Sequence, residues 1–228
     1  MEKIFETEYG KIVLKTHGKR DFSEEMSIDF QNPIDIKNYL STFYSTQTKN
    51  IYGLSQIHGT DIILAENSEL NQKGDGIWTE DLKNLLYIKT ADCMPIYFWS
   101  ENYILYGILH SGWKGTKDGI TEKLIYFIKN KYPKIELKFF LGPCIRGNEY
   151  EVKEDVSIFF QNFPNSLVYQ ENKIYLGLEK ILSSTIENNG MRLDDCGIST
   201  LSHPDYFSHR GKDIGRNLNT IRVITEAY

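Results

Sequence analysis

Apolar and polar positions alternate from the amino terminus. KIFETEYGKIVLKTHG follows a period of two on either side of Gly10, the pattern of a β-hairpin. FSEEMSIDFQNPIDIKNYLSTFYS then sets acids and Pro33 ahead of apolar residues at helical spacing, which predicts a helix starting near the proline. NIYGLSQIHG (50–59) reads as a strand running into a tight turn, DIILAEN as the next strand, and GDGIWTED as a turn-rich connection. NLLYIKTADCMPIYFWS (84–100) is strand-like with an interruption at Thr-Ala-Asp-Cys-Met-Pro, and NYILYGILHSG is a further strand. DGITEKLIYFIKNKY has the apolar spacing of an amphipathic helix, with KNKYPK as its solvated end. ELKFFLGPCI predicts a strand closing in Gly-Pro, while EVKEDVSIFFQNF and LGLEKILSSTIENNGM predict helices. The tail holds CGIST, SHPDYFSHRG and a last segment, IGRNLNTIRVITEAY. Strands and helices alternate without the regularity of a doubly wound sheet. There is no repeat or Pro/Ser-rich linker. The expectation is a single layered α/β domain over residues 1–228, with mixed β-sheets flanked by helices.

Composition narrows the setting. A chain of 228 residues can bury a core without disulfide staples. A net charge of −5 argues against nucleic acid or an anionic membrane as partner. Cys93, Cys144 and Cys196 are odd in number and widely spaced, which fits a reducing compartment. MEKIFETEYG carries acids and no apolar stretch, and no run approaches a membrane span, so a cytoplasmic protein is expected.

Three segments share a design. His58 in SQIHGTD, Cys93 in KTADCMP and His110 in ILHSGW each stand at a strand end beside a residue that forces a turn. Two imidazoles and a thiolate suit Zn²⁺ and leave a fourth position open, the mark of a catalytic centre. Each residue also has a plainer reading: Cys93 as a small buried hydrophobe, either histidine as a hydrogen-bonded strand end. In GWKGTKDG, Gly112 and Gly115 admit close backbone approach. A helix starting near Thr116–Asp118 together with Lys114 would make an anion site; equally, Lys114 would face solvent. SHRGKDIGRN gathers His209, Arg210, Lys212 and Arg216 around two glycines, a cluster able to grip phosphate or carboxylate, or a basic loop in which Arg216 forms a salt bridge. Asp92 would orient a ligand imidazole, shuttle a proton or cap a strand, and Gln56 would bond into a pocket or lie at the surface. His17 and His203 have no evident company and read as structural or exposed.

QIHG, TADCMPIYF, GILHSGWKGT, LGPCI followed by YEV, and FSHRGKDIGR stand in the order and approximate spacing of the laccase-domain (YfiH-like) family, which the chain resembles from about Gly53 onward. The family is also called polyphenol oxidase, purine nucleoside phosphorylase or peptidoglycan editing factor. Lys114 replaces the family's usual arginine, which keeps the charge and loses the bidentate fork. The resemblance implies His58, Cys93 and His110 as metal ligands and a fold related to that of a toxin deamidase. It also implies phosphorolysis of adenosine, inosine and methylthioadenosine, and deamination of adenosine. Zinc is the expected metal, with copper as the alternative. Cys93, His110 and Asp92 are the expected catalytic groups, and Gln56, Lys114 and Arg210 the substrate-binding ones. The expected partners are a purine nucleoside and phosphate, with no nucleic acid and no membrane, in a monomer or homodimer. The alternatives are a cysteine hydrolase or amidase using Cys93 and His110, and a hydrolase that edits a peptidoglycan precursor. Copper phenol oxidation is not expected as the native role, because five histidines are too few for a multicopper cluster.

Overall fold

The computed structural model describes residues 1–22 and 28–225. Residues 23–27 of the expected helical segment and 226–228 of the last segment lie outside the described residues.

Two sheets face each other. The first has the order β1 (Glu2–Thr7), β2 (Gly10–His17), β14 (Asn217–Ile224), β6 (Leu85–Thr90) and β3 (Ile51–Gly53). Its pairs are antiparallel except β3 with β6. The second has the order β13 (Leu193–Asp195), β9 (Leu137–Leu141), β7 (Met94–Ser100), β8 (Tyr106–Ser111), β5 (Gly76–Thr79) and β4 (Ile62–Leu64). There β13–β9 and β4–β5 are parallel and the rest antiparallel. A small third sheet orders β10 (Glu151–Val152), β12 (Lys173–Leu176) and β11 (Leu167–Gln170).

Strand alternation explains the layering. In MPIYFWS, Tyr97 and Trp99 join Leu86, Ile88, Ile221 and Ile12 in the core between the sheets. Ile96 and Phe98 point the other way and pack with Leu124, Ile128, Leu182 and Ile186. Those last residues are the buried faces of α3 (Ile120–Lys131) and α5 (Leu178–Asn188). Strand β6 does the same, since Leu85 and Tyr87 turn outward onto Ile36, Tyr39 and Leu40 of α1 (Pro33–Tyr44). Strands buried on both faces read as continuous apolar runs, as the sequence has them. Helix α1 starts where Pro33 predicts, capped by Asn32, whose Oδ1 accepts from Ile34 N–H at 3.0 Å.

Three segments depart from expectation. GDGIWTED contains a real strand, β5, wholly buried between β4 and β8. Its glycine is there for close packing, because a Cβ on Gly76 would stand 2.6 Å from Leu109 Cδ2. EVKEDVSIFFQNF opens on β10, and its α-helix is only α4 (Glu154–Ser157), followed by a tight turn over 158–160. The helix after His110 starts a turn earlier than expected, as α2 (Trp113–Lys117). It breaks at Gly119 (φ +76°) before α3. Among the described residues, no helix is long and apolar enough to cross a membrane.

Candidate metal centre

The sheets bring three strand ends together. His110 sits near the end of β8, Cys93 directly precedes β7, and His58 stands in the loop between β3 and β4. Their donor atoms all lie within 4.8 Å of one another, and no other such group occurs among the described residues. The imidazole rings of His58 and His110 meet edge to face at 4.8 Å. Gly112 makes the approach possible, since a Cβ there would stand 2.8 Å from Cys93 Sγ. His110 is buried, Cys93 partly so, and His58 exposed.

One carboxylate organises the group. Asp75, just before β5, is fully buried and accepts four hydrogen bonds. Its Oδ1 takes His110 Nδ1–H at 2.8 Å and His58 N–H at 2.9 Å; Oδ2 takes Ile57 N–H at 3.2 Å and Gly59 N–H at 2.7 Å. This cradle holds His58 in the left-handed region, φ +59°. Burial alone would raise the Asp75 carboxyl, but the bonds from His110 and Gly59 hold it below the usual range. An ionised Asp75 accepts only, so Nδ1 of His110 carries the proton and Nε2 is left as the donor to the centre.

Burial also opposes ionisation of Cys93, yet the charge and hydrogen bond of His110 outweigh it and the thiol is pushed down. His110 is pushed up for the reciprocal reason: burial lowers it, and the charges of Cys93 and Asp75 more than reverse this. A thiolate with two imidazoles, one fixed by a carboxylate behind it, is a donor set that fits a thiophilic divalent metal.

Two clefts meet at the centre. One, of about 430 Å³, is polar; Ser55, Gln56, Lys89, Thr90 and Arg216 line it beside the triad. The other, of about 210 Å³, is walled by Trp113, Ile145, Tyr150, Leu178 and Arg210. His58, Ala91, Cys93 and His209 belong to both.

Asp92 does not take the orienting part expected of it. Its Oδ1 accepts from Thr200 Oγ1 and its Oδ2 from Arg210 N–H, both at 2.7 Å, so it ties two loops to the Cys93 turn. Gln56 spends its amide on the Lys89 backbone, donating to the carbonyl at 2.7 Å and accepting from the N–H at 2.8 Å. Arg210 Nη1 donates to Glu151 O at 2.7 Å, and the guanidinium lies 5.3 Å from the centre of the Tyr150 ring. Lys114 is exposed on α2 and lines neither cleft, its Nζ standing 5.6 Å from the Trp113 ring. Asp75, Lys89 and Tyr150 were not visible as site residues in the sequence. The one available signal was the lysine in LLYIKT, a charge inside a doubly apolar strand. His17 has company after all, being fully buried and bonded to Tyr39 Oη at 3.0 Å and Tyr44 Oη at 2.9 Å.

The comparisons agree with this architecture. Residues 35–224 match the family model described as multi-copper polyphenol oxidoreductase laccase, and the chain belongs to that family. A Clostridium acetobutylicum protein named purine nucleoside phosphorylase is 30% identical over 185 residues, 76% of this chain and 77% of its own length. A Staphylococcus epidermidis protein of the same name is 31% identical over 145 residues, which cover 60% of this chain and only 54% of the relative. The crystal structure of the Bacillus licheniformis hypothetical protein YfiH superposes with a TM-score of 0.75 at 20% identity, covering 94% of this chain and 92% of that one. YlmD from Geobacillus stearothermophilus gives 0.74 at 20% identity, covering 98% and 99%.

Proposed function

We propose that the protein is a metal-dependent purine nucleoside phosphorylase that also deaminates adenosine. One observation carries the reading: a His₂Cys donor set stands where an aromatic cleft meets a polar, cationic one. Relatives named purine nucleoside phosphorylase support it.

The slot between Trp113, Tyr150 and Leu178 offers a planar base flat apolar walls. Arg210 backs the Tyr150 ring and stiffens that wall. A nucleoside seated there places its ribose beside His58, Cys93 and His110, with the polar cleft open to phosphate on the other side. In phosphorolysis a phosphate oxygen bonds to C1′, the bond from C1′ to the base nitrogen breaks, and the base leaves with a proton. In deamination, water replaces the 6-amino group and ammonia departs. Zinc held by the triad would polarise bound oxygen and lower the pKa of a bound water. Asp75 keeps His110 in one tautomer, and the glycine at 112 keeps the donors within reach of each other.

Incubation with adenosine or inosine, with and without phosphate and a chelator, tests the reading by product chromatography. Free base formed only with phosphate is expected, with chelation abolishing it; no turnover under any condition defeats the proposal. His58→Ala, Cys93→Ala and His110→Ala are each expected to lose the metal. A second reading has one observation in its favour: without a metal, Cys93 and His110 form a thiolate–imidazolium pair suited to a cysteine hydrolase or amidase. Stoichiometric metal in the purified protein would sink it.

A further inference from the structure

We infer that Lys89 and Arg216 form a clamp for a phosphate dianion in the polar cleft. The clamp itself stands on the geometry below; its identification with inorganic phosphate as co-substrate rests on the phosphorylase reading.

The register of the first sheet sets the two cations side by side. Leu218 of β14 pairs with Lys89 of β6. Arg216 directly precedes β14, beside the end of β6, close enough for its charge to act on Lys89. The sheet face around them is apolar, since Leu85, Tyr87 and Leu218 belong to the core under α1. Both side chains line the cleft that holds the metal triad.

Neither cation is in salt-bridge contact with a carboxylate among the described residues, and Asp29 acts on Lys89 only at a distance. Lys89 Nζ donates to the carbonyl of Phe30 at 3.0 Å. Arg216 Nη1 donates to Ile214 O at 3.1 Å and Gly215 O at 2.8 Å, and its Nε and Nη2 have no acceptor among the described residues. Burial, and next the nearby charge of Arg216, lower the proton affinity of Lys89; Asp29 offsets this only in part. Two like charges held together against an apolar face, in a chain of net charge −5, repel each other and oppose their own burial. A dianion between them neutralises both and takes up the free donors of the guanidinium fork. Ser55, Thr90 and His209 add polar groups to the same wall, and the volume of about 430 Å³ holds a phosphate with room for a ribose.

Direct binding of inorganic phosphate to the whole protein, followed by calorimetry or ³¹P NMR, tests the clamp. Measurements are made on the metal-loaded protein and after chelation. Lys89→Gln and Arg216→Gln are each expected to weaken phosphate binding about tenfold or more, in both metal states. Lys89→Arg, which keeps the charge, should restore it to within about threefold of wild type. Lys129→Gln, on α3 and outside both clefts, should leave it unchanged. Circular dichroism melts establish that the variants are folded. Phosphate binding that vanishes with the metal and is untouched by the folded variants would overturn the clamp. So would loss of binding in Lys89→Gln that Lys89→Arg fails to restore. If inosine monophosphate but not free phosphate binds in a variant-sensitive way, the assignment to inorganic phosphate is overturned. Variant-sensitive phosphate binding without any base release keeps the clamp and defeats the phosphorylase. Base release with wild-type KM for phosphate in both variants does the reverse.

Discussion

Asp75→Asn is the sharpest single perturbation of the centre. Four donors converge on the two oxygens of Asp75, two on each: His110 Nδ1–H and His58 N–H on Oδ1, Ile57 N–H and Gly59 N–H on Oδ2. Asparagine has the same shape, but one of its ends is an NH₂. Whichever way it turns, two buried donors face a third donor. With the amide nitrogen at the Oδ1 position, His110 loses its acceptor and the imidazole must change tautomer, surrendering Nε2 as a ligand. With the nitrogen at the other position, His110 is kept and the His58 turn loses two of its three bonds. One donor is left unpaired where His110 changes tautomer and two in the other orientation; at about 1–3 kcal/mol each, the variant loses about 1–6 kcal/mol of stability. Loss of such a carboxylate behind a ligand histidine weakens metal binding by about 10–100-fold. Urea melts of the chelated protein read the first quantity, and competition with a chromophoric zinc chelator reads the second. The two together separate a general loss of fold from a specific loss of ligand orientation. An Asp75→Asn protein that binds zinc within about twofold of wild type would refute the organising role given to this carboxylate.

Two other outcomes follow from single contacts. Gly112→Ala places a Cβ 2.8 Å from Cys93 Sγ, so the variant should fold yet bind less than one metal per chain; full stoichiometry by elemental analysis would contradict the close-approach argument. Burial holds His17 at a pKa of about 3, against 6.5 for an exposed histidine, with the Asp21 carboxylate opposing the shift only in part. The unfolded chain therefore binds the extra proton first, and stability should fall by about 3–5 kcal/mol as pH drops from about 6.5 toward 3. His17→Gln should flatten that part of the profile in urea melts, and parallel profiles for variant and wild type would exclude His17 as the cause.

The three metal-type residues were legible because each stands next to its own local signal, a strand giving way to Gly59, to Pro95 or to Gly112. The layered α/β fold was legible for a similar reason, since runs such as MPIYFWS carry the mark of a strand covered on both faces. Asp75 was hidden by its neighbours. Two glycines gave GDGIWTED the composition of a turn, whereas Gly76 is small because Leu109 of the adjoining strand presses on it. No local pattern encodes a side chain from 35 residues away, at the entrance to another strand. Asp92 misled for the opposite reason. It stands next to Cys93 in sequence, but its carboxylate is claimed by Thr200 and Arg210, 108 and 118 residues onward. Proximity along the chain set the expectation, and loops from the far end of the chain decided the direction. Lys89 gained its meaning only when β14 was laid beside β6, a pairing between segments more than 120 residues apart.

The histidine inventory bears on the family's oxidase name. The chain has five histidines, and each now has a place. His58 and His110 join Cys93. His17 is enclosed by tyrosines in the core, with both ring nitrogens bonded to their hydroxyls. His203 accepts the Asp205 N–H at 3.3 Å through Nδ1. His209 lines both clefts, as His58 does, but it belongs to no cluster of metal-type donors among the described residues. A blue copper with a trinuclear cluster needs far more imidazole than this, whereas one borderline-soft metal with an open position needs no more than is present. The same count leaves His209 as an imidazole that is neither ligand nor structural, placed where a base in the aromatic cleft and an anion in the polar cleft would meet. That position matches the demands of a two-substrate transfer better than those of electron relay among several metals.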